Sequence, residues 1–319
     1  MNASSMARRA VFGALSVLLV SSAACGNGAT TDPLDATDDG LSALTASFDM
    51  AVGPPQRYLV GLFTQDQANI VDGSVKVSFR YLGAGPAGPP TEESTAQFIA
   101  TAGSDERPQA STPHVAGPDD GVGAYEVPTV TFDRSGIWEA AVEAVIGGVA
   151  ETTTDAFDVA ERHSVPIAGE TSPTPSQPLA GDPTVSPTAI DSRASAGEAI
   201  PDPELHRITV ADAVRSQMPT LVVVSTPTYC VSRFCGPITD TVAGLAEEYD
   251  GRANFVHLEV WANFEANELN AASNEFINGS GEGNEPWVFL IDRRGTIVER
   301  WDNVANADLL RTAMDRHLA

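Results

Sequence analysis

The sequence predicts two folded domains, an all-β sandwich followed by an α/β domain, and three observations carry that expectation. Residues 46–160 read as short runs in which apolar and polar residues alternate, punctuated by Gly/Pro clusters, the pattern of half-buried strands. Residues 204–319 instead switch between short apolar runs and amphipathic stretches, as successive strands and helices do. Between the two, residues 163–203 hold eight prolines, abundant Ser and Thr, and no aromatic residue. A length of 319 residues is enough for about two ordinary domains.

The chain opens with Arg8 and Arg9, an apolar run from Ala10 to Val20, and small residues leading to Cys25. A basic start, a short apolar core and small residues before a cleavage point make a secretory signal, here residues 1–24. The run is too short for a membrane-spanning helix, which needs about 20 apolar residues. The join Ala23-Ala24-Cys25-Gly26 resembles a bacterial lipobox, although Ser22 stands where Leu is usual. That resemblance implies a lipid anchor on Cys25 and a chain that works outside the cytoplasm, at the cell membrane; ordinary secretion without lipid is the alternative. Residues 25–45, rich in Gly, Ala, Thr and Asp, follow as a tether.

Composition narrows the function. The formal charge is −25, from 18 Lys+Arg against 43 Asp+Glu. Such acidity opposes electrostatic capture of nucleic acid or of anionic lipid, both of which need clustered cations. Three cysteines are too few for a disulfide scaffold or a four-thiolate metal cage.

In residues 46–160, Val75, Val77, Phe79 and Tyr81 alternate with polar neighbours, and Trp138 through Ile146 do the same up to the turn signal Gly147-Gly148. Residues 57–63, 127–132 and 154–159 supply further strands. About seven such strands predict an immunoglobulin-like sandwich. Residues 161–203 cannot bury enough apolar area to offset their ordering entropy and are expected to be a linker.

From residue 204, Thr209-Val210-Ala211-Asp212 resembles a capping box opening a short helix that Pro219 ends. Residues 220–225 are a continuous apolar run suited to a buried central strand. An amphipathic helix is expected over 238–249, a strand over 255–261, a helix over 265–277, a hairpin of 287–291 with 296–301, and a closing helix over 306–318.

The junction after the central strand reads Thr226-Pro227-Thr228-Tyr229-Cys230-Val231-Ser232-Arg233-Phe234-Cys235-Gly236-Pro237. A Cys at a strand-to-helix junction meets unpaired backbone N–H groups and the positive end of the helix dipole, which favour thiolate, and Arg233 adds a cation. The Cys pair, the element order and Glu285-Pro286 directly before a strand together resemble the thioredoxin superfamily, in its extracytoplasmic, membrane-anchored thiol–disulfide oxidoreductase branch. The resemblance covers residues 204–319 and implies a thioredoxin-like α/β fold there. It also implies a cis Pro286 lying against the redox cysteines, Tyr229 in the place where relatives carry Trp, and backbone beside Glu285 and Pro286 that binds an extended substrate chain.

The spacing departs from that family, which has two residues between its cysteines where this chain has four. In regular helix the two Cα atoms would lie about 8.7 Å apart, whereas a disulfide needs about 4.4–6.8 Å. Either Cys230 lies in the loop before the helix, or oxidation unwinds the first turn. Two registers follow. With Pro237 as first helical residue, Cys235 caps the helix; with Pro237 as the kinking proline of the family's active-site helix, Cys230 does. The second aligns residues 224–230 without a gap and favours Cys230 as the attacking thiol and Cys235 as the resolving one. It also leaves Val224 where relatives carry a buried acid, with Glu259 and His257 as substitutes.

The leading expectation is therefore exchange of disulfides with partner proteins through Cys230 and Cys235, with no cofactor and no metal. Three other readings stand beside it. A peroxiredoxin-like peroxidase would need Thr and Pro where the chain has Pro227 and Val223. A copper-handling chaperone would join the thiolates to His206, His257 or His317, and a binding lipoprotein would keep the disulfide as an inert staple.

Overall fold

The structure, a computed structural model, describes residues 40–83, 87–101, 103, 107–194, 199–232, 234–277 and 284–318. The signal segment, Cys25 and Arg233 lie outside the described residues. The first half is built of β1 (Ser42–Thr45), β2 (Gln56–Phe63), β3 (Ile70–Val71), β4 (Ser74–Tyr81), β5 (Ser94–Ala100), β6 (His114–Val115), β7 (Gly123–Val130), β8 (Gly136–Ile146) and β9 (Val149–Val159). Then come α1 (Val210–Arg215), β10 (Thr220–Ser225), α2 (Cys235–Glu248), β11 (Asn254–Glu259), β12 (Trp261–Asn263), β13 (Glu268–Leu269), α3 (Ala271–Ile277), β14 (Trp287–Ile291), β15 (Ile297–Asp302) and α4 (Ala307–Leu318).

Seven of the first nine strands form one antiparallel sheet in the order β1-β2-β7-β5-β4-β8-β9. β8 and β9 pair from Gly136↔Val159 to Ile146↔Val149, and the hairpin turns on Gly147 and Gly148, at φ 59° and 85°, where a side chain would strain the backbone. The sheet curls until its end strands approach: the Thr45 N–H on β1 donates to Asp155 Oδ2 on β9 at 2.6 Å. Inside the curl Phe79 meets Tyr58 at 4.9 Å and Phe132 at 5.5 Å, edge to face, and Phe132 meets Trp138 at 4.9 Å. The immunoglobulin-like sandwich is thus corrected to one near-closed sheet. Period-2 alternation marks one buried face for each strand, but it does not say whether that face closes on a second sheet or on its own.

The second half forms a four-stranded sheet in the order β11-β10-β14-β15. β10 runs parallel to β11 and antiparallel to β14, and each of its six residues is buried. Leu221 and Val223 pack toward Ile238 and Val242 of α2 and Leu310 and Met314 of α4, while Val222 and Val224 pack with Val210, Leu258 and Phe276. Most elements here fall close to their expected positions. The exception is 265–277, where a hairpin of β12 and β13 precedes a helix shortened to α3. Asn267, at φ 56°, turns that hairpin.

The expected α/β, thioredoxin-like C-terminal domain is likewise corrected. Among the described residues strands and bridges hold 36% and helical residues 18%, so this part of the chain is mostly β, and its four α-helices do not build a separate α/β domain. The described residues belong instead to one compact unit. Val304, just after β15, packs on Leu59, Ile99 and Ala124 of the curled sheet, and Arg57 donates to the carbonyls of Asp302 and Val304. Local apolar periodicity could not report these contacts, because they join residues 180 or more positions apart.

The Pro-rich segment is not the extended linker its composition predicts. Val165, Ala189, Ile190 and Asp191 are buried. The Gly169 N–H donates to the Ile297 carbonyl, the Ile297 N–H donates to the Glu170 carbonyl, and Gln177 bonds both Ile208 and Val210. The segment has no core of its own, but neighbouring elements offer it apolar surface and hydrogen-bond partners.

A buried polar knot joins the halves. Asp49 accepts from the Ser164 N–H and Oγ at 2.9 Å, from His163 Nδ1 at 2.9 Å and from Arg300 Nη1 at 2.8 Å. Burial alone would raise its pKa, but these donors and the Arg300 charge overcome that and hold the carboxyl well below the usual range. A carboxylate with a lowered folded pKa stabilises the fold above its ordinary pKa and loses that contribution as the pH falls. Asp49→Ala, which strands Arg300, is expected to cost about 3–5 kcal/mol in denaturant unfolding at neutral pH. It is also expected to weaken the loss of stability in acid; a cost below about 1 kcal/mol would show that the knot is dispensable.

Candidate functional site

β10 ends at Ser225, and the chain leaves the sheet in a tight turn closed by the Cys230 N–H donating to the Thr226 carbonyl at 3.1 Å. Cys230 therefore sits in the loop, half-buried, while Cys235 is the first residue of α2 and fully buried. The two are disulfide-bonded with Cα atoms 6.0 Å apart. Of the two arrangements the spacing allowed, the loop placement holds. The preferred register does not: Cys230 does not cap α2, because the Thr226–Cys230 turn uses the residues that a longer helix would need. Cys235 takes the helix entrance, with Pro237 in its first turn.

The N-terminus of α2 has no side-chain cap; Phe234 occupies the N-cap position. N–H groups of this first turn and the helix dipole stabilise negative charge on Cys235 Sγ, which makes it a good leaving group. Cys230 Sγ lies 3.2 Å from Ser232 Oγ, whose hydroxyl can donate to a Cys230 thiolate. Val231 beside it is 95% exposed, so Cys230 is half-buried at an open part of the loop while Cys235 stays inside.

The Glu285–Pro286 peptide bond is cis, the isomer that the resemblance implied. Pro286 is buried and its carbonyl accepts from the Asn303 N–H at 2.9 Å, so that oxygen is already engaged within the fold. The Glu285 carboxyl reaches within 4.8 Å of both sulfurs. Burial pushes its pKa up to about 7, and the nearby Glu259 charge adds to the shift. Glu259, the last residue of β11, is also pushed up to about 7 by burial, even though it accepts from the N–H groups of Ser192 and Trp261. The strand neighbour expected to replace the missing buried acid is thus close enough to Glu285 to shift it, and Glu285 is the carboxyl that reaches the cysteines.

Tyr229 stacks flat on Phe264, with ring centroids 4.0 Å apart and planes inclined by 1°, and Trp261 meets Phe264 edge-on at 5.3 Å. These rings line a cleft of about 270 Å³ together with Ser186, Thr188 and Asn263. Tyr229 therefore forms part of an aromatic shelf next to the disulfide loop.

Among the described residues no histidine joins the cysteines, and Glu285 is the ligand-type side chain that gathers with Cys230 and Cys235. His317 pairs with Glu299 at 3.0 Å, and His206 and His257 lie together elsewhere. Sequence reasoning missed Ser192, whose Oγ accepts from the Thr228 N–H at 3.0 Å and whose N–H donates to Glu259 at 2.8 Å, so that it props both the cysteine loop and the acid. Its one sequence signal was the Ala-Ile-Asp-Ser-Arg run at 189–193, which breaks the Pro/Thr composition of the segment.

Compared with known proteins, the chain matches no family model and no curated relative.

Glu259 yields a pH test. Its folded pKa, about 7, exceeds the ordinary 4.5, so its contribution to stability is complete below about 4.5 and is lost as the pH rises through about 7. Unfolding free energy is expected to fall across that window by up to about 1.4 kcal/mol per pH unit for this group. Glu259→Gln should flatten that slope in denaturation at pH 5, 6, 7 and 8; an unchanged slope would assign it to other groups.

Proposed function

We propose that this chain exchanges disulfides with partner proteins through Cys230 and Cys235. The observation that carries the reading is the asymmetry of the bonded pair: one sulfur lies in an exposed loop, the other is buried at the start of α2, and a carboxyl of raised pKa lies within reach of both. In the reducing direction the Cys230 thiolate attacks one sulfur of a partner's disulfide. A mixed disulfide forms and the partner's other sulfur departs as thiolate. Cys235 gives its proton to Glu285 and attacks Cys230 Sγ, and the partner's second thiolate leaves. The Cys230–Cys235 bond is restored, and the partner has gained two electrons and, from solvent, two protons. The same steps in reverse oxidise a partner dithiol, with Cys235 as leaving group. A carboxyl with a pKa of about 7 is matched to this proton transfer near neutral pH. The aromatic shelf of Tyr229 and Phe264 gives an incoming polypeptide an apolar surface beside the half-buried Cys230. A signal sequence and lipidation at Cys25 would place this chemistry outside the cytoplasm, where disulfides persist.

Trapping tests the reading. Cys235→Ser is expected to accumulate mixed disulfides through Cys230 with partner proteins or a model disulfide, and Cys230→Ser to accumulate none. The wild-type potential is expected above about −300 mV, the range of labile pairs. Failure of both variants to react, with a potential below that limit, would leave the disulfide as a staple. Glu285→Gln should slow exchange at pH 7 at least about 10-fold and remove its pH dependence near 7; an unchanged profile would exclude Glu285 as proton acceptor.

A further inference from the structure

Away from the cysteines, Asp191, His206 and His257 meet in the interior, with side-chain exposures of 0%, 1% and 0%. They come from three parts of the chain: the Pro-rich segment, the short turn Pro203–His206, and β11. His257 Nε2 lies 3.1 Å from the Ser225 carbonyl, which can only accept, so Nε2 carries the proton and donates it. The neutral ring then has a bare lone pair at Nδ1, and that atom is buried with no hydrogen-bond partner. It points toward Asp191 Oδ2, 3.7 Å away, so lone pair faces carboxylate. His206 Nε2, equally buried and unpartnered, stands 3.5 Å from the same oxygen.

Those separations are too long for hydrogen bonds, which run to about 3.2 Å for N–H···O. They are close to what a shared ion produces. With metal–oxygen and metal–nitrogen bonds of about 2.0–2.2 Å at tetrahedral angles, ligand atoms lie about 3.3–3.6 Å apart. The proton donated by His257 to a backbone carbonyl is also the outer contact by which metal-bound histidines are oriented. Arg193 also engages Asp191, with Nε on Oδ1 at 3.0 Å and Nη2 at 2.7 Å on the same Oδ2 that faces the histidines. Its guanidinium is shared with Asp202 and Asp240, so three carboxylates surround one cation and leave room for a dication's charge.

We propose that Asp191, His206 and His257 bind a first-row divalent transition ion, of which Zn²⁺ is the natural probe. Two imidazoles and one carboxylate suit such ions, whereas Ca²⁺ and Mg²⁺ prefer oxygen donors throughout. The ion ties the Pro-rich segment to β11. Because Ser192 follows Asp191 and holds both Thr228 and Glu259, the ion consolidates the floor of the cysteine loop.

The test uses the full chain, stripped with a chelator and titrated with Zn²⁺ and with Co²⁺. Expected are about one equivalent bound per chain, a rise in unfolding temperature, and visible d–d absorption of Co²⁺ without a thiolate charge-transfer band. The Cys230→Ser/Cys235→Ser variant should behave alike, while His206→Gln and His257→Gln, with unaltered circular dichroism, should bind at least about 10-fold more weakly. Absence of stoichiometric uptake by the wild type would overturn the proposal, as would a thiolate band or binding that follows the cysteines. Should the histidine variants fail to fold, the wild-type and cysteine-variant titrations decide the matter by the same criteria.

Discussion

Burial of β10 on both faces is the constraint from which the site follows. Its backbone is paired with β11 on one side and β14 on the other, and its alternate side chains enter two different cores. A strand held in this way has no freedom of register, since a slip of one residue would exchange Leu221 and Val223 for Val222 and Val224 in both cores. Its end at Ser225 is therefore fixed in space, and so are Glu259 and Trp287 at the ends of its neighbours. The cysteine loop starts from that edge, and Glu285-Pro286 leads from it into the strand alongside, β14.

Electrostatics then separates groups of the same chemical type. Asp49 and Asp191 are buried carboxyls with depressed pKa values, because each has a guanidinium and further donors directed at it. Glu259 and Glu285 are raised to about 7, because burial acts on them without a guanidinium partner; Glu259 has only neutral donors, the Thr226 and Ser192 hydroxyls and backbone N–H groups, and Glu285 lies in the field of Glu259. The first pair serves as structural anchors. The second pair holds protons that can be exchanged near neutral pH, and Glu285 lies next to the sulfurs. In a chain with 43 acidic residues, what distinguishes a carboxyl is thus the cation beside it and not its type.

Several elements were legible from local pattern. The apolar run of residues 220–225, the hairpin flanking 292–295 and the Thr209 cap, which accepts from the Asp212 N–H, stand where the sequence indicates. The cysteine pair was legible as well, since Cys is rare in this chain, whereas Glu285-Pro286, of residue types common here, stood out only through the resemblance and its place before a strand. The near-closed sheet was not, because period-2 alternation is the same in a sandwich and in a curled sheet. Asp191 and Ser192 were hidden inside a segment whose composition resembles a linker. The helix start at Cys235 was missed because an alignment without gaps carried the cap to Cys230, whereas the turn closed on Thr226 sets it five residues later.

By itself, the sequence determined which residues could carry redox chemistry, where the inner strand lay and which faces were apolar, since these depend on residue type and on contacts a few positions apart. Only the tertiary structure decided that the chain is mostly β, that the Pro-rich segment is packed, and that Glu285 lies against the disulfide while Asp191 meets two histidines. Those outcomes depend on pairing and burial between residues as much as 250 positions apart, such as Asp49 and Arg300, and local pattern carries no record of such partners.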